Sequence, residues 1–239
     1  MTGPVHLPSH LHVADGQDGM AYVLDGHSGR WMVLNSTAAR LWRTVVEAGD
    51  VETGVDLLAE SFPPTTVDRF RSDAHDVVNQ MFANRLLATG PGGQPGWTAA
   101  KGRTSGVVQA TARTSAATAV LAGWSLLMAL LLLRLPFRYT LRVVGVLAEK
   151  WCTRPASCAE ALSAVASVES AADRYPGRAA CLERSLGAVF AAGVRRRRMS
   201  WVMGVAENPN RFHAWVEFDG KVVTRSTHSQ PPFIRVLRV

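Results

Sequence analysis

The sequence predicts an α+β chain of two domains, and three observations predict it. Residues 9–88 read as three short strands followed by three helices. Gly and Pro dominate residues 90–96, which marks a break in the chain. Residues 175–225 read as a loop, a helix opened by a cysteine, and then three strands. The boundaries follow as a first domain over 1–88, a linker over 89–105 and a second domain over 106–239. Charge divides at the same place. Of 26 Lys and Arg residues, 6 lie in residues 1–90 and 20 in 91–239, whereas the 19 Asp and Glu residues divide 11 and 8. An acidic unit therefore precedes a basic one, which suits domains that attract each other or engage different partners.

In the first domain, His10–Ala14 is the first strand. Asp18-Gly19 marks a turn, Met20–Leu24 is the second strand, and Asp25–Gly29 is a second turn. Arg30–Leu34 is the third strand. Asn35-Ser-Thr37 then caps a helix with Ala38, Leu41, Trp42 and Val45 at helical spacing. Asp50 caps a second helix that ends at Pro63-Pro64. Thr66 or Asp68 opens a third, with Phe70, Ala74, Val77, Val78 and Met81 on one stripe. The order is winged-helix-like. A DNA-binding role fits poorly because the unit is acidic.

The segment from Asp25 through Trp31-Met-Val-Leu-Asn-Ser-Thr-Ala-Ala-Arg-Leu-Trp42 resembles the PqqD-like peptide-recognition domain of ribosomal-peptide biosynthesis. The resemblance covers residues 8–88. It implies that a leader peptide adds as a strand beside the third strand, against the third helix. An edge strand offers unpaired backbone groups, and alternate side-chain pockets supply selectivity. Trp31, Val33, Asp73, Val77 and Met81 are the candidate groove residues. The plainer reading is that Trp31 and the helix stripe form the small domain's core.

Residues 116–135 are the most apolar stretch of the chain. A bilayer span needs about 20 apolar residues. Thr118, Gly123 and Ser125 dilute this one, and Arg134 closes it. The favoured reading is a helical hairpin packed on the second domain's core, ahead of peripheral membrane contact through 116–135 and of a true span. Residues 141–175 read as helical. Arg195–Arg198 falls where a helix should end, and cations there suit the helix dipole better than they argue for nucleic acid. Three cysteines, an odd and sparse set, point to a reducing, cytoplasmic compartment. The N-terminus has no basic region followed by an apolar run, so no secretory signal is read. Cys152 and Cys158 have no histidines at ligand spacing, so no metal is expected, nor any other cofactor.

Chemistry concentrates in Cys181 and His213. Cys181 opens a helix with Leu182, Leu186, Val189 and Phe190 on its stripe. A cysteine there feels the positive end of the helix dipole, which brings a thiol pKa down from about 8.5, and an imidazolium neighbour lowers it further. His213 opens the strand Phe212–Phe218 after the strand Met199–Ala206 and the turn Asn208-Pro-Asn210. Asp219-Gly220 is a two-residue hairpin signal, and Lys221–Arg225 returns. A nucleophile on a helix and a base on a facing sheet suit thiol catalysis. Singly, each residue is also readable as a buried helix cysteine and a satisfied strand histidine.

Cys181-Leu-Glu-Arg-Ser-Leu, Val205-Ala-Glu-Asn-Pro and His213-Ala-Trp-Val-Glu-Phe-Asp-Gly220 resemble the transglutaminase-like, papain-related cysteine proteases. More narrowly, they resemble lasso-peptide B proteins in which a PqqD-like domain and a leader peptidase are fused. The resemblance implies that the chain binds the leader of a lasso precursor peptide and cleaves it. It also implies a partner, an ATP-dependent, asparagine-synthetase-like cyclase that closes the ring, and the apolar 116–135 segment is a candidate for part of that contact.

That family places an aspartate near position 225 to orient the histidine. Here the stretch reads Thr224-Arg225-Ser226-Thr227-His228, with no carboxylate. If residue 218 pairs with 221, then 213 pairs with 226, so Ser226 or Thr224 is the candidate orienter, unless a carboxylate comes from another segment. Two other readings remain: a non-catalytic escort for the precursor, and a thiol-dependent acyl or amine transferase.

Overall fold

The computed structural model describes residues 3–90, 103–104, 106–109, 116–207, 210–225 and 233–239. Most of the expected linker, the turn residues Asn208 and Pro209, and Ser226 lie outside them. Two compact units are present. The second begins at Ala100 and takes in the Gly26–Gly29 turn.

In the first unit, β1 (Val5–His6) pairs with β5 (Ala88–Thr89) and ties the two ends together. β2 (Leu11–Asp15), β3 (Ala21–Asp25) and β4 (Trp31–Leu34) form an antiparallel sheet in that order, so β4 is an edge. Gly19 and Gly29 take positive φ at the connecting turns. Helix α1 (Ser36–Ala48) starts where Asn35 Oδ1 accepts from the Ala38 N–H at 2.8 Å, and it ends at Gly49 in the left-handed region. Helix α2 (Val51–Ala59) is capped by Asp50, which accepts from the Thr53 N–H at 2.9 Å. Helix α3 (Val67–Ala83) turns Ala74, Val78 and Met81 inward. Trp42 is fully buried at the centre and donates from Nε1 to the Leu86 carbonyl at 3.0 Å.

In the second unit, β6 (Val107–Gln109) precedes α4 (Ala116–Leu132) and α5 (Phe137–Val146). The segment 141–175, read as helical, is helical at both ends but interrupted between them. A π turn covers Leu147–Trp151, and the short strand β7 (Arg154–Pro155) follows. Pro155 cannot donate into a helix, and Ser157 restarts one. Its hydroxyl accepts from the Glu160 N–H at 3.3 Å, and the Glu160 carboxylate accepts from the Ser157 N–H at 2.8 Å. This capping box opens α6 (Cys158–Arg174). Helix α7 (Cys181–Val194) follows. Beyond it, β8 (Arg197–Arg198) runs parallel to β7, and Arg197 pairs with Glu160 at 2.9 Å. The basic run therefore ends a helix and joins a small ladder.

The main sheet adds β9 (Ser200–Ala206), β10 (Arg211–Phe218), β11 (Lys221–Thr224) and β12 (Phe233–Arg238), in the order β12-β9-β10-β11-β6. Asp219 and Gly220, with φ of 50° and 73°, make the two-residue turn that pairs Phe218 with Lys221. Helices α6 and α7 pack on this sheet, and α4 packs on both helices. Trp201 is fully buried and donates from Nε1 to the Ser185 hydroxyl at 2.9 Å, which locks β9 to α7. Helix α4 buries one side only, through Ala122, Ser125, Leu126 and Ala129. The favoured buried hairpin is thus half realised. Among the described residues no helix is long and apolar enough to cross a membrane.

Candidate active site

Cys181 is the first residue of α7, and its position there is set from both sides. Before it, Ala180 is extended and has no side chain able to accept from the helix amides. After it, the Glu183 carboxylate reaches back to the Ala180 N–H at 2.9 Å. Only half of a capping box therefore forms. Among the described residues no N-cap side chain accepts from the first-turn amides, and such amides can serve a developing oxyanion.

His213 lies on β10 opposite Gly204 of β9. A Cβ on Gly204 would meet the Ile234 carbonyl oxygen at 2.1 Å and the Trp215 ring at 2.7 Å, so only glycine fits beside the histidine. His213, Trp215 and Glu217 alternate along one face of the strand. Glu217 is buried, and its Oε1 accepts from Trp215 Nε1 at 3.0 Å and from Arg235 Nε at 2.7 Å. Trp215 and Phe233 in turn hold the imidazole. Its ring centroid lies 5.0 Å from Phe233 and 6.0 Å from Trp215, at interplanar angles of 22° and 15°. Aromatic stacking, not an anion, thus sets the ring plane among the described residues. Burial holds the His213 pKa below the ordinary 6.5, which favours a neutral imidazole able to take a proton.

Cys181 and His213 line one cleft of about 260 Å³ together with Ala180, Glu169, Arg184 and Thr224. Glu169, on α6, is a carboxylate that reading the sequence missed. Burial raises its pKa, opposed by the backbone N–H of Arg225 and then by the guanidinium groups of Arg184 and Arg225. Its only signal in the sequence is a Glu169–Asp173 pair one helical turn apart in an otherwise basic domain.

Arg225 stands in the stretch near which an orienting aspartate was expected. It donates to Ser170 Oγ at 2.8 Å and pairs with Asp173 at 3.4 Å, while Asp173 also accepts from Arg184 at 2.9 Å. The charge at 225 is thereby reversed and compensated by α6. Thr224 is buried at the cleft, and Ser226 lies outside the described residues. Cys152 is buried and Cys158 half-buried, and neither lines the cleft.

In the first unit, Val33 is 38% exposed on edge strand β4, and Trp31 beside it is half-buried. Asp73 is exposed on α3 and pairs with Arg69 at 3.9 Å. Val77 is half-buried against the core, whereas Met81 lies within it at 3% exposure.

Two family models match the chain. Residues 124–238 match the transglutaminase-like superfamily, which takes in α7, β10 and the cleft. Residues 21–87 match the coenzyme PQQ synthesis protein D (PqqD) family. The chain fuses a PqqD-like domain to a transglutaminase-like domain. This architecture is consistent with that of a lasso-peptide B-protein leader peptidase. It supports a cysteine-peptidase-type enzyme, with leader recognition and cysteine-protease-type chemistry in the biosynthesis of ribosomally made peptides. No curated protein and no solved structure matches the chain.

Proposed function

We propose that this PqqD-like/transglutaminase-like fusion is the leader peptidase of a lasso-peptide pathway, with Cys181 as nucleophile and His213 as general base and acid. The observation that carries the reading is the opening of α7 at Cys181 onto the cleft that His213 also lines. The leader would dock as an added strand along β4, with Trp31, Val33, Asp73 and Val77 selecting its side chains and Met81 supporting them from the core.

In the cleft, the Cys181 proton passes to His213 and the sulfur attacks the carbonyl of the last leader residue. First-turn amides of α7 receive the oxyanion. His213 then protonates the departing core amine, which leaves the leader as a thioester on Cys181. Water, deprotonated by His213, releases the leader and restores the thiol. The freed amine is the nucleophile that an ATP-dependent, asparagine-synthetase-like cyclase needs to close a ring. Ser226 remains the sequence's candidate for orienting His213, beside the aromatic clamp.

Acid quench during turnover, followed by intact mass of the protein, tests this. The reading expects an adduct of leader mass on wild-type protein and none on Cys181→Ala. An escort reading draws on one observation, the arginine at 225, and expects leader binding with no adduct and no cleavage in either protein. An amide product formed with an added primary amine would point instead to a transferase.

A further inference from the structure

Helix α4 leaves a large apolar face uncovered. Trp124, Met128, Leu131 and Leu135 are 64, 53, 55 and 52% exposed. With Val143 of α5 and Trp151 of the π turn they line an open groove of about 660 Å³. Cations stand on the same elements: Arg134 lies two residues past the end of α4, Arg138 and Arg142 are exposed on α5, and Arg195 and Arg196 directly follow α7. The Arg196 guanidinium sits over the Trp151 ring at 4.9 Å. Residues 116–151 contain a single acid, Glu149.

We propose that this face seats on the surface of an anionic lipid bilayer. Exposed tryptophans and aliphatic side chains enter the headgroup boundary, while arginines beside them meet lipid phosphates. The helix lies in the interface and does not span it, because its other side is packed on α6 and α7. A second copy of the chain fits the face less well, since a two-fold contact would bring the same arginines against one another. The proposal does not depend on the cleavage reading.

Co-sedimentation of the full chain with vesicles tests it, using phosphatidylcholine alone or mixed with phosphatidylglycerol, at low and high salt. The wild type should sediment with the mixed vesicles, bind phosphatidylcholine weakly, and release as salt rises. Arg134→Gln/Arg138→Gln/Arg142→Gln should lower partitioning about a hundredfold, taking roughly fivefold per lost cation. Trp124→Ser/Leu131→Ser should lower it about tenfold or more. Both variants substitute exposed positions, and their circular dichroism and removal of a soluble precursor's leader should match wild type.

Three results would overturn the proposal. One is no binding to the mixed vesicles. Another is binding that neither variant weakens. The third is a wild-type dimer in solution that Trp124→Ser/Leu131→Ser dissociates, which would assign the face to a second copy.

Discussion

Arg235→Ala should damage the second unit more than its place near the chain's end suggests. The Glu217 side chain is fully buried and that of Arg235 is 11% exposed. Arg235 supplies Glu217 with its counter-charge, and also donates to the Gly220 carbonyl at 2.9 Å and the Arg103 carbonyl at 3.0 Å. Glu217 Oε2 already lacks a hydrogen bond among the described residues. Removing the guanidinium leaves a buried carboxylate held by the Trp215 indole alone. Breaking a buried pair from one side costs about 3–5 kcal/mol. Against a typical folding stability of about 5–15 kcal/mol, that is a large share. Arg235→Met with Glu217→Leu removes both charges; it loses the two carbonyl contacts that Arg235→Ala also loses, and its further cost is the Trp215 N–H deprived of its carboxylate, about 1–3 kcal/mol. The double variant should therefore be more stable than Arg235→Ala. Equilibrium urea unfolding followed by far-ultraviolet circular dichroism measures both. A loss below about 1 kcal/mol for Arg235→Ala, the value of an exposed ion pair, would refute the reasoning.

Four further outcomes follow from the site and from the first unit. Burial depresses the His213 pKa, so its neutral form persists below pH 6.5, and the acid limb of kcat/KM for leader removal should fall below that value. The stability sign agrees. The folded state favours the neutral ring, so this contribution is present above the unfolded pKa and is lost as pH drops through 6.5 toward the folded value; a pH series of urea midpoints reads it. Gly204→Ala should cost about 3 kcal/mol and most of the activity, because the added methyl displaces β12 or the Trp215 ring that stacks on His213. Asn35→Ala should cost the first unit about 1 kcal/mol through loss of the α1 cap, read by thermal unfolding, with leader cleavage chemistry unchanged.

Local signals were the legible ones. Asn35 and Asp50 cap helices with their own side chains, and Asp219-Gly220 admits few backbone conformations, so three or four residues decide each feature. The turn then fixed the strand register, and with it the common face of His213, Trp215 and Glu217. The break after Trp151 was less visible, because apolar periodicity runs through it and only Pro155 and Ser157 interrupt.

Long-range charge pairing was not legible at all. Arg225 reads as a missing aspartate until Asp173 and Ser170, more than 50 residues earlier, are seen to receive it. Glu169 enters the cleft for a similar reason, through the packing of α6 on the sheet. The uniform apolarity of α4 concealed which side it buries, since that choice belongs to α6 and α7.

The central claim is that Cys181 cleaves a precursor peptide held by the first unit. Intact mass of the precursor, taken from the neighbouring genome region and incubated with wild type and with Cys181→Ala, tests it most directly, with and without the cyclase. The account predicts loss of a leader-sized segment with wild type only, while leader binding stays equal in both proteins. Leader loss that persists in Cys181→Ala, or tight binding by wild type with no loss of mass, would contradict it.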